Sequence, residues 1–127
     1  MKPFANRPGG AQPWEHIPAN VGEKFEVGMA LELSAGKASK VSGEDKPVYL
    51  SMYKGVGEAD KPIPVMPIYA DQKLSARLSE DGKALSVGDK VKISDDGMDA
   101  TATTGGALEI VAINGTNVGD EIIVRVV

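Results

Sequence analysis

Side chains that could perform acid–base or metal chemistry are scarce in this sequence. His16 is the only histidine, and the chain contains no cysteine. His16 lies in a stretch rich in proline and glycine, which is a poor place to hold a nucleophile or a carboxylate within hydrogen-bonding distance of the imidazole. We therefore predict that His16 is a surface or interface residue. We also predict that the protein is not an enzyme and binds no metal or cofactor.

The acidic residues do not form a convincing ligand set. Asp95, Asp96 and Asp99 surround Gly97, but a calcium loop of the EF-hand type needs alternate ligands and a distal glutamate that this segment lacks. An ordinary Asp-Gly turn is favoured there. The glycine-rich residues 101–107 lack the lysine and the helix of a phosphate loop, so a flexible connection between strands is favoured. The remaining paired carboxylates fall in predicted turns, where solvated charge is expected: Glu44, Asp45, Glu58, Asp60, Glu80 and Asp81.

Composition limits the class of protein and its partners. At 127 residues and 42% hydrophobic content, the chain is long enough for one domain with a core that needs no disulfides. Its net charge is −4, and the 14 basic residues are scattered, so no basic stripe favours nucleic acid. No apolar run approaches the ~20 residues that span a bilayer, and the N-terminus lacks the apolar segment of a signal peptide. We expect a soluble protein, made in the cytoplasm, that binds neither nucleic acid nor membrane.

One short phrase occurs three times, as Val27-Gly28, Val87-Gly88 and Val118-Gly119, each followed by a strand-like pattern. Glycine adopts the positive φ that a bend or bulge needs, so Gly28, Gly88 and Gly119 are predicted structural turns. No span of eleven or more residues shows a clean helical period. These features predict an all-β fold, a small β-barrel-like domain over residues 25–127.

Two further patterns bear on the arrangement of strands. The hairpin at residues 25–41 has a counterpart at residues 91–102, roughly 60 residues later, which indicates either an internal duplication or two hairpins with the same turn chemistry. Prolines at 62, 64 and 67 remove hydrogen-bond donors from the predicted strand 63–69. That strand is therefore predicted to lie at a sheet edge or to be irregular.

Residues 1–24 differ in character from the rest of the chain. Prolines at 3, 8, 13 and 18 and the absence of apolar periodicity predict an irregular, extended arm. The arm nevertheless carries a large apolar load, and its predicted partner-interface residues are Phe4, Pro13, Trp14, His16 and Ile17. Two alternatives remain open: these side chains fold back onto their own barrel, or they dock on a neighbouring subunit or another partner.

The order of these features resembles a known class of viral proteins. The segments VGMALELSAGK (27–37), KPVYLSM (46–52), IPV (63–65), LSVGDKV (85–91) and VGD (118–120) are similar to the head decoration, or cement, proteins of tailed bacteriophages and prophages. The resemblance spans about residues 25–127. It implies a β-barrel-like domain of the β-tulip type, on the outside of the capsid, where a homotrimer binds the major capsid protein and stabilises the mature shell.

Two other classes of function serve as alternatives. A head-fibre or other β-barrel binding module would recognise a host surface or a carbohydrate. It would need exposed aromatic residues on the barrel, for which Tyr49, Tyr53 and Tyr69 are the candidates. An enzyme or enzyme subunit would need a nucleophile, a base or metal ligands, and these are missing from the predicted turns and strands.

Overall fold

The computed structural model describes residues 1–4 and 14–127, so the predicted interface residue Pro13 lies outside the described residues. The described part of the chain is all-β and contains no α-helix, which confirms the predicted fold class. In chain order the strands are β1 (Lys2–Pro3), β2 (Glu15–Pro18), β3 (Lys24–Phe25), β4 (Ala30–Ser34), β5 (Lys37–Lys40), β6 (Tyr49–Ser51), β7 (Gly55–Val56), β8 (Pro62–Pro67), β9 (Lys73–Arg77), β10 (Lys90–Ile93), β11 (Ala100–Thr104), β12 (Leu108–Ile113) and β13 (Glu121–Val126).

These strands form two main antiparallel sheets. The six-stranded sheet has the order β1-β9-β13-β12-β10-β11, and the five-stranded sheet has the order β2-β8-β6-β4-β5. A small third sheet pairs β3 with β7. The sequence patterns did not predict β3 and β7, because two-residue strands carry no alternation. Strand β11 extends to Thr104, so the prediction of a flexible connection from residue 101 is wrong for that part.

Each main sheet curls so that a strand near one side of the sheet meets the last strand on the other side, β2 with β5 in the five-stranded sheet and β9 with β11 in the six-stranded sheet. In the five-stranded sheet Ala19, which follows β2, forms a parallel bridge to Ala38 of β5. In the six-stranded sheet Leu78, which follows β9, forms a parallel bridge to Ala100 of β11. Ala38 and Ala100 are completely buried, and their small side chains allow the two backbones to approach closely at the point where each sheet curls back on itself.

The curled sheets enclose two clusters of buried side chains. The smaller cluster lies within the five-stranded sheet and contains Ala19, Phe25, Met29, Leu31, Ala38, Ile63 and Val65. The larger cluster comprises Ala30, Val41, Leu50, Leu74, Ala76, Leu78, Val91, Ile93, Ala100, Leu108, Ile110, Ile122 and Val124. Because three of its members come from the first half of the chain, this cluster also joins the two sheets. A reciprocal pair of backbone hydrogen bonds between Gly43 and Ile93, each 2.8 Å, reinforces the junction.

The two curled sheets are copies of one topology. We call β2, β4, β5, β6 and β8 the first unit, and β9, β10, β11, β12 and β13 the second unit. Around each sheet the strands follow the same sequence, with the first strand beside the fifth, then the fourth, the second and the third. The register is shared as well: Leu31↔Tyr49↔Pro67 in the first unit corresponds to Val91↔Leu108↔Val126 in the second. The repeated hairpin is thus one part of a repeated five-stranded unit.

The Val-Gly turns open corresponding strands of the two units. Gly28 precedes β4 and Gly88 precedes β10, with φ of 88° and 96°, and Gly119 precedes β13 with φ of 89°. The predicted positive φ is therefore confirmed at all three glycines. Gly28 has a second constraint, because a Cβ at this position would lie 2.5 Å from the backbone oxygen of Met1. Gly88 and Gly119 face open space.

The prediction that the proline-rich strand lies at an edge is wrong. Strand β8 is an interior strand, paired with β2 on one side and β6 on the other. Alternate residues of an antiparallel strand direct their backbone groups to opposite neighbours. Pro64 faces β6, since its carbonyl accepts a hydrogen bond of 3.0 Å from the N–H of Met52. Pro62 faces the same side, and β6 has already ended at Ser51, so neither missing N–H breaks the ladder.

The glycine turns can be compared by substituting alanine. Gly88→Ala should lower the free energy of unfolding by about 1 to 2 kcal/mol, the cost of holding an alanine in the left-handed region. Gly28→Ala should cost at least about 1 kcal/mol more, because the new methyl group meets the backbone of Met1. Urea unfolding of the two variants measures both values. Equal losses would show that the contact with Met1 is not part of the stable fold.

Candidate functional site

The arm is regular where the structure describes it. Residues Glu15–Pro18 form the outer strand of the five-stranded sheet, and Lys2–Pro3 pair with β9 of the other sheet. The prediction of an irregular arm is therefore wrong for these segments. The physical reason is that the edges of β8 and β9 offer unpaired backbone groups, and an extended proline-containing segment can satisfy them without any helical or strand periodicity of its own.

The two alternatives for the arm divide residue by residue. Ile17 is half-buried and packs against the smaller core cluster, so this side chain folds back onto its own sheet. Trp14, immediately before β2, is 56% exposed, and His16 within that strand is exposed as well. Phe4 is also exposed but lies elsewhere, where its N–H donates a 3.0 Å hydrogen bond to the carbonyl of Lys73 beside β9. The structure thus places His16 and Ile17 on β2 with Trp14 immediately before that strand, and separates Phe4 from them.

Strands β2 and β8 present an uncharged outer surface. Because side chains alternate across a strand, those opposite the buried Ile63 and Val65 point outward together. The register places His16 beside Pro64 and Pro18 beside Pro62. We call this surface the arm face; it consists of Trp14, His16, Pro18, Pro62, Pro64 and Met66. Sequence reasoning treated the β8 prolines only as missing donors and overlooked their alternation as a sign of an outward face.

A cleft adjoins the arm face at Met66. Its volume is about 650 Å³, and residues of the N-terminal segment and of both sheets line it. Four of the five methionines of the chain lie there, namely Met1, Met52, Met66 and Met98. Methionine side chains are flexible and polarisable, so a surface built from them can adapt to different apolar partners. No sequence motif indicated this cleft, because its methionines are far apart in the chain.

Met1, which lines the cleft, is held in place by hydrogen bonds of its α-ammonium. The α-ammonium of Met1 donates hydrogen bonds to the carbonyls of Gly28, at 2.7 Å, and Met98, at 3.3 Å. Burial lowers the pKa of this ammonium, although the nearby carboxylates of Asp99 and Asp96 act in the opposite direction. Burial, together with the charge of Asp96, raises the pKa of Asp99. These contacts hold β1 between the two units.

The cleft lining also includes a hydrogen-bonded carboxylate. Glu121 accepts a hydrogen bond of 2.6 Å from the hydroxyl of Ser75, and another of 3.0 Å from the side-chain amide of Asn114. Both donors favour the charged form, so they lower the pKa of Glu121 below its ordinary value. The lining of the cleft therefore combines apolar methionines with charged and polar groups.

The aspartates around Gly97 form the expected turn. Asp96 accepts hydrogen bonds from the hydroxyl of Ser94, at 2.6 Å, and from the N–H of Met98, at 3.0 Å, while Gly97 has a φ of 73°. Within residues 1–4 and 14–127, no three His, Cys, Asp or Glu side chains converge as metal ligands. Over the same described residues, no helix is long and apolar enough to cross a membrane.

The arm strand predicts contrasting effects of two substitutions. Ile17→Ala should lower the free energy of unfolding by about 1 to 2 kcal/mol, because it removes a half-buried side chain from the smaller core cluster. Trp14→Ala should change it by no more than about 0.5 kcal/mol, because the indole is mostly exposed. Thermal or urea unfolding of both variants distinguishes the two positions. A large loss with Trp14→Ala would mean that the indole belongs to the core.

The hydrogen bonds of Glu121 predict that the stability of the protein depends on pH. The lowered pKa of Glu121 stabilises the folded protein above the ordinary carboxyl value near 4.5, and this contribution is lost as the pH falls through the folded-state pKa. Ser75→Ala removes the strongest donor, so we expect the pKa of Glu121 to rise toward 4.5 in an NMR titration. The stability of the variant should also depend less on pH below that value. An unchanged pKa would contradict the role assigned to Ser75.

Two comparisons with known proteins, one with family models and one with curated sequences, find no match for this chain. The function must therefore be inferred from the arm face, the cleft and the resemblance described above.

Proposed function

We propose that this protein is a head decoration protein of a tailed bacteriophage or prophage, which binds the outer surface of the capsid and stabilises the mature shell. The observation that carries the proposal is the arm face, an uncharged surface held on a regular strand next to a methionine-lined cleft. Such a combination of an exposed tryptophan, prolines and methionines is typical of the centre of a protein interface. The chain offers this surface to a macromolecule rather than to a small substrate.

A second observation supports a large partner. Strands β10 and β13 both run antiparallel to β12, so the turns at Gly88 and Gly119 lie at the same end of that sheet. Gly28 and Gly119 both line the cleft. The valines that precede these glycines are among the most exposed apolar residues of the described chain, namely Val27, Val87 and Val118. Exposed valines therefore precede all three turns, and one of them, Val27, itself lines the cleft.

The stabilising mechanism follows from mass action. A protein that binds the mature arrangement of capsid subunits, and not the immature one, shifts the equilibrium toward the mature shell. Each contact can be modest, because many copies bind one shell. We further propose that the protein is made in the host cytoplasm and binds the major capsid protein on the exterior of the virion.

The alternative of a carbohydrate-binding or host-binding module receives less support from the tyrosines. Tyr49 and Tyr53 are half-buried and pack against the smaller core cluster, and Tyr69 is half-buried as well. None of them offers the open aromatic platform that such a module needs. The exposed aromatic residues among those described are Phe4 and Trp14, both near the N-terminus.

Co-sedimentation with capsids tests the proposed function. The capsids are purified from the phage or induced prophage that encodes the chain and stripped of decoration. We expect the wild-type protein to saturate them at a fixed stoichiometry, and the double variant Trp14→Ala/His16→Ala to lose at least about tenfold in affinity, since an indole at an interface centre contributes about 2 kcal/mol. Leu33→Ala removes an equally exposed apolar side chain outside the arm face and is the matched control. Saturation by the double variant would show that the arm face is not the binding site.

Salt dependence provides an independent measurement. Because the arm face contains no charged side chain, we expect capsid affinity to change by less than about threefold between roughly 50 and 200 mM salt, whereas a nucleic-acid binder loses orders of magnitude over that range. A steep decrease would contradict an uncharged interface and would indicate binding through the scattered lysines.

A further inference from the structure

The two units differ in whether a further strand covers the outer edge of their first strand. In the second unit, β1 lies along the outer edge of β9: Lys2 is paired with Ser75, and the N–H of Phe4 donates to the carbonyl of Lys73. The corresponding edge of the first unit is β2. Glu15 is paired with Val65, which is paired with Ser51, just as Leu74 is paired with Val124 and Val124 with Ile110. Trp14 and His16 therefore occupy the positions of Lys73 and Ser75.

The outer edge of β2 carries free backbone groups. Pro64 directs its carbonyl to Met52, so the alternation of the ladder directs the backbone groups of Val65, and of its partner Glu15, toward each other. The C=O of Trp14, which shares a peptide group with the N–H of Glu15, and both backbone groups of His16 then point away from β8. Among the described residues, no backbone or side-chain group bonds to them. The same groups of Lys73 and Ser75 are the ones that face β1.

The other long edges are closed. On β5, the N–H of Lys40 donates to a carboxylate oxygen of Glu23 at 3.1 Å, and on β11, the N–H of Ala102 donates to a carboxylate oxygen of Glu80 at 3.3 Å. A side-chain carboxylate that occupies an edge N–H blocks the addition of a further strand there. Within the described part of the chain, β2 is thus the long edge left open to another strand.

We propose that β2 pairs with β2 of a second copy of this chain, as an antiparallel strand pair across a two-fold axis at Glu15. In this register the N–H of His16 donates to the C=O of Trp14 in the other copy, and the two-fold axis repeats this hydrogen bond. The added strand occupies the position along β2 that β1 occupies along β9 in the second unit. This inference goes beyond the proposed function, because it concerns contacts between copies of the protein itself.

The outer edge of β2 is self-complementary, which favours a second copy of this chain as its partner. The two residues with free groups lie one on each side of Glu15, so a two-fold axis satisfies both at once. The same operation sets each Trp14 ring beside His16 of the other copy on the uncharged arm face, a favourable cross-strand pair. A register centred on His16 would carry the added strand past Pro18, where Lys37 of β5 approaches β2. The chosen register has one unfavourable feature, the approach of two Glu15 carboxylates.

The approach of the two Glu15 carboxylates at the two-fold axis can be tested by substitution. Glu15→Gln removes like charges at the axis, so we expect it to tighten the dimer about two- to fivefold. His16→Pro removes one of the outward N–H groups while leaving the bonds of Glu15 and Ile17 to β8, so it should abolish the dimer. His16→Ala is its matched control, because it keeps the N–H and loses only the imidazole. It should retain a dimer.

Sedimentation equilibrium and amide hydrogen exchange of the free full-length protein test these expectations. The wild type should show a concentration-dependent dimer, and the His16 amide should exchange quickly in dilute solution and slowly in the dimer. A protein that stays monomeric up to about 1 mM would overturn the proposal. So would a dimer that persists in folded His16→Pro, or one that Glu15→Gln weakens. Because no capsid is present, failure here leaves the proposed capsid binding to its own test.

Discussion

The structure depends on two close backbone contacts, at Ala38 and Ala100. An open antiparallel sheet of five short strands buries little on its own, and its edges leave polar groups unpaired. The parallel bridges from Ala19 to Ala38 and from Leu78 to Ala100 bring the first strand of each unit against the third, so each sheet gains an interior. Both alanines are fully buried, so a larger side chain at either position would separate the strands that the bridge joins.

The two units share one topology, but equivalent residues in them have different surroundings. Ile93 in the second unit is 1% exposed, because its side chain belongs to the larger core cluster, and its backbone forms two hydrogen bonds with Gly43 in the loop after β5. Its counterpart Leu33, which pairs with Ala38 as Ile93 pairs with Ala100, is 49% exposed. Strand β1 likewise covers the edge of β9, whereas none of the described strands covers the outer edge of β2. The first unit therefore exposes what the second unit buries, and the surfaces proposed for binding lie mainly on the first unit.

This asymmetry relates stability to function. The second unit acquires the strand β1, the contacts of the Met1 ammonium and the loop at Gly43, so its edges are satisfied within the chain. The first unit keeps an exposed tryptophan on a strand that β8 holds in place. A rigid strand that carries an exposed aromatic side chain loses little conformational entropy on binding, which favours affinity from a small contact area.

The sequence alone was sufficient for the all-β class, for the positive φ of Gly28, Gly88 and Gly119, and for the hairpin repeated in the two halves. These features are local: a glycine before an alternating run and an Asp-Gly turn have the same conformational preferences in any fold. Tertiary structure decided where the prolines of β8 are tolerated, since this depends on where β6 ends. It also decided that two segments of the arm are strands of different sheets, that distant methionines share one cleft, and that no strand of residues 1–4 or 14–127 covers the outer edge of β2. Each of these depends on which strands become neighbours, and pairing between distant segments leaves no periodic trace in the residues that it joins.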